Sequence, residues 1–128
     1  MAGTVTITHT QVGRVGRIKV ACVGDASDGT VPATALPPFA GLLVALRTDP
    51  GSTAPTANYD ITLPDEHAVD RIQGVGANRH TTSSEEVAIV RSGTAIHPPV
   101  AFEDVLTYTV ANQAVASAIW VTEFIYLA

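Results

Sequence analysis

The fold class follows from one stretch, Ala118-Ile119-Trp120-Val121-Thr122-Glu123-Phe124-Ile125-Tyr126-Leu127. Alternate residues of a β-strand point to opposite faces of its sheet. In this stretch both faces are largely apolar: Trp120, Thr122, Phe124 and Tyr126 form one, and Ile119, Val121, Glu123 and Ile125 form the other. We therefore predict a long strand that lies in the middle of a sheet or against another subunit.

The first part of the chain has the same period of two. Residues 4–8 alternate polar and apolar side chains, as a half-buried strand does. Residues 16–23 alternate again and place Ile18, Val20 and Cys22 on one face. Because β-branched residues fit a pleated sheet better than a helix, both segments are predicted to be strands.

Proline and glycine divide the middle of the chain into short elements. The apolar run 42–46 has the composition of a helix, but its short length and flanking breakers favour a strand buried on both faces. Residues 65–70 are compatible with one helical turn. Further strands are predicted at 31–35, 59–63, 86–91, 95–97 and 105–110, and turns at 25–29, 74–78 and 112–113.

These elements add up to about eight strands at intervals of about ten to twelve residues, with little helix. The pattern predicts an all-β fold, a single antiparallel β-sandwich of jelly-roll type. The chain has 128 residues, the length of one ordinary domain, so we expect one domain over 1–128. Surface loops are expected at 49–58 and 65–84.

The composition favours a protein that contacts neighbours. Charged residues make up 15% of the chain, against about 25% in ordinary soluble domains. A surface rich in Ala, Thr, Ser, Gly and Val suits association, although a monomer with a mild surface of Thr, Ser and Ala is the alternative. The net charge of −5 and the scattered arginines argue against nucleic acid or an anionic membrane as partner.

Targeting and redox signals are few. No apolar run approaches the ~18–20 residues of a membrane span, and the alternating start of the chain does not have the pattern of a secretory signal. Cys22 is the single cysteine, so it cannot form an internal disulfide. We expect synthesis in a reducing cytosol.

The residues that could carry chemistry form no recognisable catalytic pattern. The four histidines, at positions 9, 67, 80 and 97, lack the spacing of a zinc site. His67 and His80 flank three acids, Asp65, Glu66 and Asp70, and a metal-assisted hydrolase built on them is the enzyme alternative to a solvated loop. Residues 74–76 lack the third glycine of a dinucleotide fingerprint, and no nucleophile elbow is present. We predict no enzyme, no metal, no cofactor and no small-molecule substrate.

The most distinctive segments are 16–20, 46–50, 54–63, 65–66, 69–70, 74–76 and 106–110. With them the chain resembles a group of small tailed-bacteriophage virion proteins. The resemblance implies a non-enzymatic structural protein, located in the virion after synthesis in the host cytoplasm. It implies copies of itself, major capsid proteins or tail proteins as partners. A capsid decoration (cement) protein is slightly favoured, because the domain is small and has no fibre-like segment; a neck or tail component is the alternative.

The candidate contacts are the N-terminal strand, the two long loops and the large aromatic residues of the last strand, if these are exposed. By residue they are Val5, Ile7, Asp49, Pro50, Asn58, Asp65, Glu66, His67, Asp70, Arg79, His80, Trp120, Phe124 and Tyr126. A carbohydrate-binding receptor module is a further alternative. It would need an exposed aromatic platform, and aromatic residues make up only 5% of the chain.

Overall fold

The computed structural model of the chain describes residues 1–91 and 93–128, and within these ranges it contains nine strands and no helix. The strands are β1 (Thr4–Val12), β2 (Val15–Val23), β3 (Thr34–Ala35), β4 (Gly41–Pro50), β5 (Asp60–Thr62), β6 (Glu85–Ala88), β7 (Pro99–Val100), β8 (Thr107–Ala111) and β9 (Ile119–Leu127). They form two sheets in which every pairing is antiparallel.

The larger sheet has the order β1-β2-β9-β4-β6. Two short strands share the outer edge of β4, because β6 pairs with residues 45–48 and β7 pairs with residues 41–42. The smaller sheet has the order β3-β8-β5. The last strand of the chain, β9, therefore lies between β2 and β4 in the middle of the larger sheet, as its sequence predicts.

The two sheets pack against each other through aromatic side chains. Tyr59 contacts Trp120 of β9 with ring centroids 5.9 Å apart, and Tyr108 of β8 meets Phe124 edge-on at 6.1 Å. All four side chains are fully buried. Aliphatic residues of the sheets and of the segments beside them complete the core, among them Ile18, Val20, Leu43, Leu46, Ile61, Leu63, Ile72 and Ile89. The predicted all-β antiparallel sandwich is confirmed, whereas its jelly-roll arrangement is not.

Four local predictions are wrong. Residues 65–70 form hydrogen-bonded turns and not a helical turn, because the Asp65 carboxylate accepts the N–H groups of His67 and Val69. Residues 95–97 are not a strand; the ladder forms at Pro99–Val100 instead. The run 42–46 lies in β4 but is not buried on both faces, since Leu42 is 41% exposed. The loop after β4 also starts later than predicted, because Asp49 and Pro50 still pair with β9.

A glycine sets the packing between β2 and the end of β9. The ring of Tyr126 lies across Gly16, and a Cβ atom added there would stand 2.0 Å from the Cζ atom of Tyr126. We expect Gly16→Ala to lower the free energy of unfolding by about 1–3 kcal/mol, because the buried ring must move. Urea unfolding measures it.

The matched control is Gly13→Asn in the turn between β1 and β2. Gly13 has φ of 60°, which Asn tolerates, and a Cβ atom there meets nothing within 4 Å. Its free energy of unfolding should stay within about 0.5 kcal/mol of the parent. Equal stability of the two variants would contradict the packing described for Tyr126.

Candidate functional site

The larger sheet turns one face to the core and the other to solvent. On β9 the core side carries Trp120, Thr122, Phe124 and Tyr126, which are all buried. The opposite side carries Ile119, Val121, Glu123, Ile125 and Leu127, which are exposed or half-buried. We call the outer face the surface formed by these five residues and by the residues in register beside them on β1, β2, β4 and β6.

Exposed apolar side chains are concentrated on the outer face. In the part of the chain that the structure describes, twelve large hydrophobic residues are exposed, and six of them lie here. They are Val12, Val15, Val23, Leu42, Ile119 and Leu127. They form two groups on one sheet face, Val12, Val15, Leu42 and Leu127 at one end and Val23 and Ile119 at the other. Single exposed hydrophobic residues are ordinary on a protein surface, whereas groups on one face are typical of an interaction surface.

A stripe of charges crosses the outer face between its apolar ends. Lys19 of β2, Glu123 of β9, Arg47 of β4 and Glu86 of β6 lie side by side in register. Their signs alternate along the row. Arg47 Nε donates to Glu86 Oε1 at 2.6 Å, and Arg17 Nε lies 3.5 Å from Glu123 Oε2. We call this row the charged stripe.

The outer face has relief on both sides of Arg47. One open depression, of about 350 Å³, is lined by Val12, Val15, Ile125 and Arg47 among others. A second, of about 360 Å³, lies on the β6 side of Ile125 and is lined in part by Ala88. Arg47 and Ile125 line both depressions and therefore lie between them, so side chains of a partner can enter on either side of these two residues.

The predicted contacts through the aromatic residues of β9 do not hold. Trp120 and Phe124 are fully buried and Tyr126 is 1% exposed, so none of them is available to a partner of the folded domain. Their hydrogen-bonding groups are used inside the chain. Trp120 Nε1 donates to the Tyr108 hydroxyl at 3.1 Å, and the Tyr126 hydroxyl donates to Gln11 Oε1 at 3.0 Å.

The predicted contacts of the N-terminal strand lie on the core side of the sheet. Val5 and Ile7 are half-buried and pack against the core, in register with Cys22 and Val20. The strand itself is at the edge of the larger sheet. Alternate residues of such an edge direct their N–H and C=O groups away from the neighbouring strand, so β1 offers backbone groups to solvent.

Asp49 and Pro50 are the last two residues of β4 and do not belong to the predicted surface loop. Asp49 is exposed on the outer face beside Val121, and its Oδ1 atom accepts a hydrogen bond from Ser84 Oγ at 2.8 Å. Pro50 is half-buried opposite Trp120, on the core side. Of the two, Asp49 is therefore the one that a partner on the outer face can reach.

The acids of the 65–70 segment mainly organise their own loop. The pKa of Asp65 is lowered, chiefly because its carboxylate accepts the Val69 N–H. Asp70 accepts the N–H groups of residues 63, 72 and 74 at 2.9–3.2 Å. Glu66 Oε2 accepts the N–H of Val105 at 3.3 Å, and His67 is exposed. These contacts hold the loop in shape and give the acids a structural role.

The remaining loop candidates, Asn58, Arg79 and His80, also have partners within the chain. Asn58 adopts a positive φ of 64° in a turn, and its N–H donates to the Arg79 carbonyl. The Arg79 guanidinium donates to the Ala77 carbonyl. His80 Nδ1 accepts the N–H groups of residues 82 and 83 at 3.1 and 2.8 Å, which closes its own turn.

Within residues 1–91 and 93–128, no three His, Cys, Asp or Glu side chains are placed together so that they could hold a metal ion. His67, His80 and the nearby acids are thus not gathered into one site. The described residues also include no helix that is long and apolar enough to cross a membrane.

Cys22 is buried in the core, and its Sγ atom lies 3.7 Å from the Tyr108 hydroxyl oxygen. Burial raises the pKa of its thiol to about 12, so the reactive thiolate is scarce in the folded chain. We expect no reaction with a disulfide reagent at pH 8 in the native state and complete reaction in urea. Rapid labelling of the native protein would contradict this burial.

The same thiol makes stability depend on alkaline pH. The folded-state pKa is raised, so the unfolded chain loses the proton first and the neutral thiol stabilises the fold fully below about pH 9. This contribution should be lost as the pH rises from about 9 towards 12. Urea unfolding at pH 8 and pH 10 tests it, with Cys22→Ala expected to show the smaller decrease.

No family model matches the chain, and no curated protein or solved structure is significantly similar to it.

Proposed function

We propose that this chain is a non-enzymatic structural protein of a tailed-bacteriophage particle and that it joins the assembly through the outer face. A capsid decoration protein is the preferred form, ahead of a neck or tail component. The observation that supports an assembly role is the concentration of exposed apolar side chains on the outer face, together with the second apolar side of the central strand β9. The solvated face of an antiparallel sheet is usually polar, so apolar side chains on both sides of a central strand favour a covered face.

The size of the outer face suits a protein partner. Five strands at about 4.8 Å spacing and nine residues at about 3.4 Å give a surface of about 20 by 30 Å. Its projected area of about 600 Å² approaches the ≈ 800 Å² that each partner buries in a standard interface. Wholly apolar burial on this scale would be worth on the order of 15–20 kcal/mol before the loss of rotational and translational freedom is subtracted. The charged stripe and the threonines of β1 lower that figure. Repetition of the contact around a symmetric particle adds avidity.

The distribution of aromatic residues favours a protein partner over a glycan. Of the seven aromatic residues of the chain, six are buried and only Phe102 is exposed in the described ranges. A carbohydrate-binding receptor module needs stacked aromatic rings at its surface, and a single exposed ring does not form such a platform. This alternative remains an outcome of the experiment below.

The proposal predicts the abundance of the chain in purified particles. Quantitative mass spectrometry should give about one copy per major capsid protein, or a simple fraction of that ratio. A count near a dozen would instead indicate the neck or tail, within the same structural role. Absence from the particle would contradict the proposal and bring forward the receptor-binding alternative, which a glycan array would then test.

Incorporation should depend on the outer face. Val15 is 50% exposed there, so Val15→Glu should leave the fold intact and reduce incorporation at least tenfold, because a longer, hydrated and charged side chain enters an apolar contact. The matched control is Val69→Glu, the same substitution at a side chain that is 51% exposed and lies in the loop after β5 of the smaller sheet. Equal incorporation of both variants would contradict the role of the outer face.

A further inference from the structure

We propose that the outer face binds a second copy of this chain, face to face, about a two-fold axis that runs parallel to the strands between β9 and β4. The inference rests on the proposed use of the outer face as an interface and names its partner. It is carried by the charged stripe, whose order of signs is self-complementary in this one arrangement.

The order of charges across the strands is the first step. From β2 through β9 and β4 to β6 the stripe has Lys19, Glu123, Arg47 and Glu86, which is plus, minus, plus, minus. Read from the opposite end, the same row is minus, plus, minus, plus. A two-fold axis along the strands reverses the row from side to side. Each charge then faces the opposite charge when the axis passes through the middle of the row.

The middle of the row lies between β9 and β4. With the axis there, Glu123 of one copy faces Arg47 of the other, and Lys19 faces Glu86. Symmetry makes each of these contacts twice, so four complementary pairs form. An axis centred on β9 would place Glu123 against Glu123 of the second copy. An axis that runs along the stripe, perpendicular to the strands, would do the same. The arrangement of charges therefore selects one placement of the axis.

The apolar parts of the outer face agree with this placement. An axis parallel to the strands keeps each residue at its own height along the strand direction. The end that carries Val15, Leu42 and Leu127 then faces the same end of the second copy, and Val23 and Ile119 at the other end do likewise. The apolar ends of the outer face thus meet their own kind, while next to the stripe Asp49 faces Val121 of the second copy and Arg17 faces Ala88.

The stripe is short enough to tolerate the usual rotation between packed sheets. Its outermost charges lie about 7 Å from the axis, at one and a half strand spacings. Sheets that pack face to face are rotated by about 30°, which displaces these charges by about 4 Å. The long side chains of Lys19 and Glu86 span that displacement. Since such pairs lose hydration on burial, we expect them to fix the register more than the affinity.

Two complementary variants test the arrangement, Lys19→Glu and Glu86→Lys. In a dimer of either variant alone, like charges face each other twice, so sedimentation equilibrium should show dimerisation weakened about tenfold or more relative to the parent. In an equal mixture, the altered position 19 of one copy faces the altered position 86 of the other, and these two side chains have opposite charges. The second contact between positions 19 and 86 is that of the parent. The mixture should therefore recover dimerisation as a heterodimer.

The mixture is its own control, because each variant carries the same changes within its chain whether alone or mixed. Urea unfolding first verifies that both variants are as stable as the parent. A monomeric parent, or variants that dimerise like the parent, would overturn this inference. Failure of the proposed function is seen separately, as absence of the chain from particles or as normal incorporation of Val15→Glu.

Discussion

Replacing Tyr108 with phenylalanine should lower the free energy of unfolding by about 2–3 kcal/mol, because its hydroxyl is the buried polar link between the two sheets. The hydroxyl lies 2.8 Å from Thr122 Oγ1 and accepts the Trp120 Nε1–H at 3.1 Å. All three residues are fully buried. Phenylalanine would fill the same space but leave the indole N–H without a partner in a place that water does not reach.

The chain provides a matched control in Tyr59. Its ring is equally buried and also packs on Trp120, yet among the described residues its hydroxyl, with the Thr48 hydroxyl as neighbour, makes no hydrogen bond of ordinary geometry. Tyr59→Phe removes a hydroxyl that the fold has already taken out of water without a hydrogen bond in return. The free energy of unfolding should therefore change by less than about 1 kcal/mol. Urea unfolding of the two variants gives the comparison. An equal loss in both would mean that Tyr108 stabilises by packing alone.

Replacing Gln113 with alanine should lower the free energy of unfolding by about 3 kcal/mol, although this residue lies in a loop. Its side chain is only 5% exposed and connects three loop segments. Oε1 accepts the N–H groups of Thr56 and Val115 at 2.9 and 3.0 Å, and Nε2 donates to the Gly29 carbonyl at 2.6 Å. Alanine would leave the buried Gly29 carbonyl and the part-buried N–H groups of Thr56 and Val115 without these partners, each worth about 1–3 kcal/mol where water cannot replace the lost contact.

The control for this prediction is Gln73→Ala, which removes the same side chain from an exposed turn. Gln73 Nε2 makes one hydrogen bond, of 3.2 Å to the Asp70 carbonyl. Its loss should change stability by less than about 0.5 kcal/mol. If Gln113→Ala were equally mild in urea unfolding, the three loop segments would be held by their backbone contacts, contrary to this account.

The strands were predictable where the apolar period was strong. The sequence of β9 indicated a central strand, and the alternation of residues 16–23 placed Cys22 on a buried face, as observed. Alternation alone does not tell which of two apolar faces turns inward. In β9 the aromatic side was buried, because its larger side chains fill the space between the sheets. The contact residues expected on that side are therefore buried. The proposed contact surface is the opposite side, which includes Ile125 and Leu127.

The features that sequence reasoning missed depend on contacts between distant residues. Residues 112–113 were expected only to open a turn, and no local pattern shows that Gln113 is buried among segments 84 and 57 positions away. The charged stripe likewise appears only when four strands are set in register. The one available signal was that Ile119, Val121 and Ile125 form a second apolar side of β9.

The most direct test of the outer face as an interface is hydroxyl-radical footprinting of the purified chain, dilute and concentrated, and of assembled particles. We predict that Val15, Leu42 and Leu127 lose reactivity on association, while Val69 and Val105, in the loops that flank the smaller sheet, keep theirs. Unchanged labelling of the three outer-face residues, with protection confined to other surfaces, would contradict the account.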